Sequence, residues 1–274
     1  MNILGKPRLQ RLTEIKASLT KRGLVPKHRL GQNFLHDHNI INKLIKAADA
    51  SKGDIVLEIG PGTGVLTESL LNRGCRVVAC EIDEGLSNLL EESFGSNVVL
   101  IRGDCLKKKQ LNPKIIQALS NSEWKLIANL PYQIASPLMI ELLMQFPNCL
   151  GQFITIQYEV AQRLVAKVNS PQWGVLSILA QRLATVSLIS KVPPTCFWPQ
   201  PKVHSACVSL IPKESDNSID DKAFAKFVTH LFSNRRKQIG KILGRDFAFP
   251  KGVATDARPA TLTINQLEEL FRAI

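Results

Sequence analysis

A glycine-rich turn between an apolar run and a helical pattern constrains the fold of this chain more than any other feature. The run Val56–Ile59 is typical of a buried strand, and apolar residues recur with helical spacing over Val65–Leu71. Three glycines at alternate positions lie between them, Gly60, Gly62 and Gly64. Because glycine takes positive φ and lets a ligand approach the backbone closely, the pattern predicts a strand, a ligand-facing turn and a helix.

The spacing of these glycines differs from that of two common nucleotide-binding loops. The dinucleotide fingerprint G-x-G-x-x-G requires a third glycine at the position that Val65 occupies. No lysine follows the turn, as a phosphate-binding P-loop requires. A nicotinamide-dependent oxidoreductase is therefore a distant alternative, and no hydride-relay constellation is visible to support it.

Polar side chains follow three further predicted strands at the point where each strand ends. Glu81 lies 21 residues after Gly60, where an acidic side chain is suited to binding ribose hydroxyls. Asp104 follows the run Val98–Gly103 and can accept a hydrogen bond from an adenine amine, and Asn129 ends the next run. Because the carboxyl ends of parallel strands meet at one edge of an open α/β sheet, we expect these side chains to share a crevice. The alternative for Glu81 is a solvated strand end.

The tetrapeptide Asn129-Leu130-Pro131-Tyr132 has residue types that suit a flat, amino-bearing base. The asparagine carbonyl oxygen can accept a hydrogen bond from an exocyclic amine. Proline fixes its own φ and has no N–H, so nearby carbonyls can point outward, and the tyrosine ring offers a stacking face. Taken alone, the tetrapeptide is equally consistent with a tight turn that carries a half-buried tyrosine.

Together these motifs resemble those of the S-adenosylmethionine-dependent rRNA adenine N6-dimethyltransferases, the KsgA type. The resemblance covers about residue 24 to the end of the chain. Besides the segments above, it depends on the segments Arg29–Leu35, Phe197–Ala206 and Phe232–Lys237. The last of these resembles a basic helix of the family's C-terminal domain.

The resemblance implies the fold, the cofactor and the residues around it. The expected fold is α/β, a Rossmann-like S-adenosylmethionine-dependent methyltransferase domain with a smaller C-terminal helical domain. The residues implied to bind S-adenosyl-L-methionine are Gln32, Asn33, Leu35, Gly60, Gly62, Gly64, Glu81, Ile82, Asp104, Cys105 and Asn129. The residues implied to be catalytic are Asn129, Leu130, Pro131, Tyr132 and Phe197, with the two aromatic rings sandwiching the target adenine.

The resemblance also implies a substrate, two adjacent adenines in the 3′-terminal hairpin loop of small-subunit (16S) rRNA, met in a pre-30S or 30S particle. The large-subunit rRNA adenine methyltransferases that confer macrolide resistance share the motifs, although Leu130 and the 235–237 basic segment fit the small-subunit type better. A ribosome-assembly or transcription factor that keeps the fold without catalysis is a further alternative, against which the intact motif residues argue. Leu30 and His204 depart from the family, which has an aromatic residue and an acid at these positions.

The charge distribution favours a polyanionic partner. The chain has 35 Lys plus Arg against 23 Asp plus Glu, a net charge of +12. Residues 1–30 hold eight basic residues against one acidic residue, a net charge of +7. A second cluster contains Arg235, Arg236 and Lys237, which we expect to bind RNA. Solvated helix faces are the alternative for each cluster.

Three segments are expected along the chain: a basic N-terminal arm over 1–22, the methyltransferase domain over 23–212 and a helical C-terminal domain over 213–274. The strand Cys207–Pro212 is expected at the edge of the sheet, and helices are expected over 222–233, about 234–243 and 263–273. The six cysteines form no C-x-x-C pair and the histidines no H-x-x-x-H pattern, so no metal is expected. No signal or membrane-spanning stretch is visible. We expect a monomeric, cytoplasmic protein with no membrane partner.

Overall fold

The computed structural model describes residues 12–108, 110–214, 218–244 and 246–274. The described chain divides into two compact units. The first comprises the residues up to Ala161 together with Ser187–Pro212, and the second comprises Gln162–Val186 together with Lys213–Ile274.

A seven-stranded sheet organises the first unit. Its strands, in spatial order, are β4 (Val98–Arg102), β3 (Arg76–Glu81), β2 (Ile55–Ile59), β7 (Trp124–Asn129), β8 (Cys149–Gln157), β11 (Ser205–Pro212) and β9 (Ala184–Val192). The first five are parallel, and β11 pairs antiparallel with β8. Two short antiparallel pairs complete the strands, β1 (Phe34–Leu35) with β10 (Phe197–Trp198) and β5 (Leu106–Lys107) with β6 (Gln110–Leu111). The mixed sheet confirms the expected Rossmann-like α/β fold.

The central parallel strands β2 and β7 are buried on both faces, which is why their sequences are nearly continuous apolar runs. Val56 and Leu57 of β2 and Leu126 and Ile127 of β7 have no exposed surface. The polar residues that end these strands therefore lie where the buried run stops, at one edge of the sheet.

Several helices of the first unit begin at side chains that accept hydrogen bonds from their first turns. The helices of this unit are α1 (Leu12–Lys21), α2 (His38–Ala47), α3 (Val65–Leu71), α4 (Glu84–Phe94), α5 (Pro113–Leu119), α6 (Tyr132–Gln145) and α7 (Tyr158–Leu164), the last of which crosses into the second unit. Asp37, Asp83 and Asn112 cap α2, α4 and α5 by accepting hydrogen bonds from backbone N–H groups. Short 3₁₀ turns lie at His28–Leu30, Gly95–Asn97 and Pro194–Cys196.

The second unit is helical and is organised around Arg182. Its helices are α8 (Val175–Leu183), α9 (Asp221–Ser233), α10 (Ile239–Leu243) and α11 (Ile264–Arg272), with a 3₁₀ turn at Pro259–Thr261. The nearly buried guanidinium of Arg182 donates to Asp221 and, at 2.7 Å, to Glu268, and it lies 4.8 Å from the ring centre of Phe224. One side chain therefore ties α8 to α9 and α11.

The contacts of Arg182 explain why the boundaries of the two units differ from the predicted domain boundaries. The predicted division at residue 213 coincides with the start of the last segment, but residues 162–186 belong to the second unit. Gln181 donates to the Leu164 and Ala166 carbonyls and Lys213 donates to the Gln181 carbonyl, which join α8 to that unit as well.

Three other sequence-based predictions need correction. Residues 1–11 of the predicted arm lie outside the described residues, and the remainder forms α1, whose Ile15 and Leu19 are buried in the core of the first unit. The strand after Ser205 is not the edge of the sheet, because β9 pairs outside it. The helix expected over about 234–243 begins only at Ile239, and a turn precedes it.

No helix in the described ranges is long and apolar enough to cross a membrane. Within the same ranges, no three His, Cys, Asp or Glu side chains come together as a metal site. The six cysteines are free and buried, and burial raises the pKa of the Cys149 thiol to about 12.

Candidate functional site

A cavity of about 210 Å³ lies at the carboxyl ends of β2, β3, β4 and β7. It lies wholly within the first unit, at the edge where the sequence predicts a crevice. Among the predicted site residues, those that line it are Gln32, Asn33, Gly60, Gly62, Glu81, Ile82, Asp104, Cys105, Asn129, Leu130, Pro131 and Tyr132.

Three of the residues predicted to bind the cofactor or to be catalytic do not line the cavity. Leu35 and Phe197 pair across β1 and β10, and both are buried in the core. Phe197 is only 1% exposed, so its ring does not form the second face of the predicted sandwich. Gly64 precedes α3 with φ of 83°, and a Cβ there would lie 2.5 Å from the ring of Phe94. Its glycine is therefore required by backbone conformation and packing.

Glu81 holds the glycine turn in place. Its carboxylate accepts hydrogen bonds from the Gly62 N–H at 3.1 Å and the Asp83 N–H at 2.9 Å. Burial raises the pKa of Glu81, and these two N–H donors oppose the rise. Gly62 has φ of 60°, and a Cβ there would lie 2.8 Å from the Phe34 ring. The turn therefore depends on both the glycine and the acid.

Beyond Glu81, the cavity wall combines apolar surface with a second acid. Ile82 is 51% exposed although it directly follows a buried strand. Asp104 is exposed and accepts a hydrogen bond from the Leu106 N–H at 2.9 Å. The apolar side chain can contact a flat base. The two acids can accept hydrogen bonds from the amine of that base and from the hydroxyls of its sugar.

The segment around Gln32 is anchored to Asp83, a residue that the motif analysis missed. Gln32 donates to the Asp83 carboxylate at 3.2 Å and accepts from the Lys27 N–H at 2.7 Å. Lys27 also forms an ion pair with Asp83 at 2.7 Å. Burial alone would raise the pKa of Asp83, but the hydrogen bonds from Lys27, Leu86 and Gln32 hold it below its usual value. Its position in the sequence, two residues after Glu81, could have indicated that Asp83 belongs to the site.

Asn129 presents a buried acceptor to the cavity. Its Nδ2 donates to the Asn33 carbonyl at 2.9 Å, which fixes the orientation of the amide. Its Oδ1 is buried and has no hydrogen-bond partner among the residues that the structure describes. A buried acceptor without a partner costs free energy, so it marks a place where a donor from a ligand is expected.

Tyr132 begins α6 and lines the same cavity as this acceptor. A hydrogen bond holds the hydroxyl at the far end of its side chain. Its hydroxyl lies 2.7 Å from the hydroxyl of Ser205, which is fully buried. Burial raises the pKa of the Tyr132 phenol, and the hydrogen bond with Ser205 opposes the rise. The half-buried ring lines the cavity and offers a surface for stacking.

Behind the glycine turn lies a second buried acid, Glu58. Its carboxylate accepts a hydrogen bond from the Thr67 hydroxyl at 2.7 Å. Burial raises the pKa of Glu58 to about 8; the Thr67 hydrogen bond opposes the rise, and the charge of nearby Glu81 adds to it. Glu58 does not line the cavity, so its contact with Thr67 joins the strand before the turn to the helix after it.

The three basic residues predicted to bind RNA have different environments. They lie in the turn between α9 and α10, not in a helix. Arg235 is half-buried and donates to the Ser170 and Pro171 carbonyls, each at 3.1 Å. Arg236 and Lys237 are exposed. The structure therefore gives Arg235 a role within the second unit and leaves the other two side chains exposed to solvent.

Comparison with known protein families matches residues 25–272 to the family described as ribosomal RNA adenine dimethylase. The ribosomal RNA small subunit methyltransferase A of Levilactobacillus brevis is 37% identical over an alignment of 275 positions that covers 94% of this chain and 93% of the relative. The protein of the same name from Clostridium perfringens is 40% identical over 238 residues, which cover 83% of this chain and 82% of the relative.

Solved structures agree with these relatives. A dimethyladenosine transferase from Plasmodium falciparum is 27% identical and superposes with a TM-score of 0.72, covering 86% of this chain and 95% of that chain. The 23S rRNA methyltransferase ErmE is similar in fold, with 24% identity, a TM-score of 0.67 and coverage of 88% of this chain and 99% of that chain.

Proposed function

This chain belongs to the ribosomal RNA adenine dimethylase family, and we propose that it methylates two adjacent adenines in the 3′-terminal hairpin loop of small-subunit rRNA. The relatives that are named small subunit methyltransferases support this choice of substrate over the large subunit. The observation that carries the proposed chemistry is the buried, unpartnered Oδ1 of Asn129 in the cavity, where the described residues supply no donor. An adenine N6 amine supplies the donor that this acceptor lacks.

The residues of the cavity fit S-adenosylmethionine as the methyl donor. Glu81 and Asp104 are acceptors for ribose hydroxyls and an adenine amine, and exposed Ile82 between them offers an apolar face to the ring. Gly60 has φ of 68°, and even a Cβ there would lie 3.3 Å from Pro131, so the turn has little room for a side chain. When bound, this cofactor supplies an electrophilic methyl group.

The protein then has to orient the target amine and make the lone pair of its nitrogen more available for methyl transfer. The N6 lone pair of adenine is delocalised into the ring. Asn129 Oδ1, whose amide is fixed by the Asn33 carbonyl, accepts an amine hydrogen and favours a more tetrahedral nitrogen. A monomethylated amine still carries one hydrogen for the same acceptor, so one asparagine can serve both methyl transfers.

Tyr132 captures the base once it has left its stack. A base that reacts inside a protein cavity must be turned out of the nucleic acid, and this costs a few kcal/mol of stacking energy. Stacking on an aromatic side chain returns about 1–3 kcal/mol. Phe197 is buried and supplies no second ring, so Tyr132 provides the aromatic face.

Exposed Arg236 and Lys237 are proposed to contact RNA phosphates, which makes binding dependent on salt. Arg235 contributes by holding the loop at Ser170 and Pro171. We also propose that the protein acts on a pre-30S or 30S particle, and that it does so as a monomer in the cytoplasm.

The test is transfer of labelled methyl from S-adenosylmethionine to small-subunit particles that lack the modification, followed by mapping of methylated adenines. We expect N6,N6-dimethyladenine at two adjacent positions of the 3′-terminal loop. Large-subunit particles serve as the control substrate and should remain unlabelled. Label confined to large-subunit rRNA, or calorimetry that shows binding of NAD and none of S-adenosylmethionine, would contradict the proposal.

A further inference from the structure

Ser205 touches the stacking residue of the proposed site, although it lies 73 positions away in the chain. It is the first residue of β11, its side chain is fully buried, and its Oγ lies 2.7 Å from the Tyr132 hydroxyl. We propose that Ser205 is a positioning residue that holds the Tyr132 ring at the place where it stacks on the target adenine. This role rests on the proposed function, in which Tyr132 captures the base.

The hydrogen bond restrains the end of the Tyr132 side chain that is farthest from the backbone. Tyr132 follows Pro131, whose ring fixes φ near −57°, so the start of the side chain is well placed. The ring can still swing about the Cα–Cβ bond and turn about the Cβ–Cγ bond. The phenol oxygen, the atom farthest from the backbone, moves with the first rotation, so a hydrogen bond to it restrains where the ring lies. Because this oxygen lies on the axis of the second rotation, the bond restrains the position of the ring and not the turn of its plane. Placing the ring before the base arrives removes that ordering cost from binding.

Ser205 is a rigid partner for this bond. Its backbone pairs with Gln157 of β8 in the antiparallel part of the sheet. With no exposed surface, its hydroxyl has no access to water that could replace Tyr132. Loss of the Tyr132 hydroxyl therefore leaves the fully buried Ser205 hydroxyl without its partner, which is costlier than the same loss at the surface.

The location of Ser205 also gives a role to the motif segment Phe197–Ala206, in which it lies. Phe197, at the start of that segment, packs in the core against β1 and does not reach the cavity. The chain then returns to the sheet at Ser205, whose hydroxyl contacts the Tyr132 hydroxyl. The segment thus supports the site through a hydrogen bond to the stacking ring and not through a second ring.

A double-mutant cycle tests this role, with Ser205→Ala, Tyr132→Phe and the double variant compared in single-turnover methyl transfer to unmodified small-subunit particles. Each single variant should raise the particle concentration that gives the half-maximal rate about three- to tenfold, the effect of removing one hydrogen bond. The double variant should raise it no further, because both changes remove the same bond. The rate at saturating particles should change less than this concentration.

Ser209→Ala is the matched control, since Ser209 lies four residues further along β11 on the same face. It should leave the half-maximal concentration unchanged. Tyr132→Phe keeps the test valid if Ser205→Ala does not fold, because a normal half-maximal concentration in Tyr132→Phe overturns the role by itself. Additive effects in the cycle also overturn it while leaving the proposed function intact. A wild-type protein that does not methylate the particles overturns the proposed function, and this role with it.

Discussion

Replacement of Asn129 by alanine should separate the contribution of this residue to catalysis from its contribution to stability. The change removes the Nδ2 hydrogen bond to the Asn33 carbonyl, which costs about 0.5–1.5 kcal/mol of unfolding free energy. It also removes the buried Oδ1, whose lack of a partner among the described residues costs the folded state about 1–3 kcal/mol. The two effects have opposite signs, so we expect the net change in unfolding free energy to lie between a loss of about 0.5 and a gain of about 2.5 kcal/mol.

Catalysis should respond much more strongly, because the acceptor acts on the reacting amine. Removal of one oriented catalytic hydrogen bond reduces turnover by about 100-fold or more, equivalent to about 2.7 kcal/mol of transition-state stabilisation. Binding of S-adenosylmethionine and of the particle should stay near normal, since the glycine turn and Tyr132 are unchanged. Single-turnover transfer of labelled methyl at saturating enzyme measures the rate of transfer, and urea unfolding measures the stability.

Gln152→Leu provides a matched control for this substitution. Gln152 is also a buried amide whose nitrogen donates to a backbone carbonyl, that of Met139 at 2.9 Å, and whose Oε1 has no partner among the described residues. It does not line the cavity, so methyl transfer should stay within about twofold of the parental rate. If Asn129→Ala transfers methyl at the parental rate, or if Gln152→Leu loses as much activity, the acceptor role of Asn129 is wrong.

Further substitutions test three other parts of the structure. Glu81→Gln should weaken S-adenosylmethionine binding by roughly 1–3 kcal/mol in calorimetry, and unchanged affinity would contradict its role. Arg235→Gln should lower the melting temperature, whereas Arg236→Gln with Lys237→Gln should instead flatten the slope of log affinity against log salt, by about 0.9 for each phosphate that is no longer neutralised. Glu58 keeps its proton up to about pH 8 in the folded state but loses it near pH 4.5 when unfolded. Between these values the stability of wild type should therefore fall relative to Glu58→Gln, by at most about 1.4 kcal/mol per pH unit in urea titrations, and a constant difference would refute the raised pKa.

The parts of the site that could be predicted from sequence are those set by local rules. Gly60, Glu81, Asp104 and Asn129 each lie at the end of a strand whose apolar run is visible, and parallel strands bring their carboxyl ends together whatever the intervening helices contain. The glycine turn was recognisable because it separates an apolar run from a helical pattern. The spacing of its glycines then distinguishes it from other nucleotide-binding loops. The cavity therefore follows from strand order and strand ends.

The residues that were misplaced depend on tertiary packing. Phe197 belongs to a motif segment, but the pairing of β10 with β1 places its ring in the core. Arg235 has the same charge as its exposed neighbours, and only the position of the 170–171 loop shows that its guanidinium is engaged. Residues 162–186 lie in the sequence between β8 and β11 of the main sheet, but the hydrogen bonds of Arg182 join them to the C-terminal helices. No local pattern encodes these interactions.

The charge of the cavity differs from that of the chain as a whole, and the difference determines which part of an RNA can enter. The charged residues that line the cavity are Glu81, Asp104 and Arg29, while the whole chain carries a net charge of +12. The Oδ1 of Asn129, which has no partner among the described residues, adds a further acceptor. Two acids against one arginine favour amines, ribose hydroxyls and a cationic sulfonium over phosphate in this cavity. A base with its amine and sugar hydroxyls therefore fits this cavity better than the phosphate backbone of an RNA does.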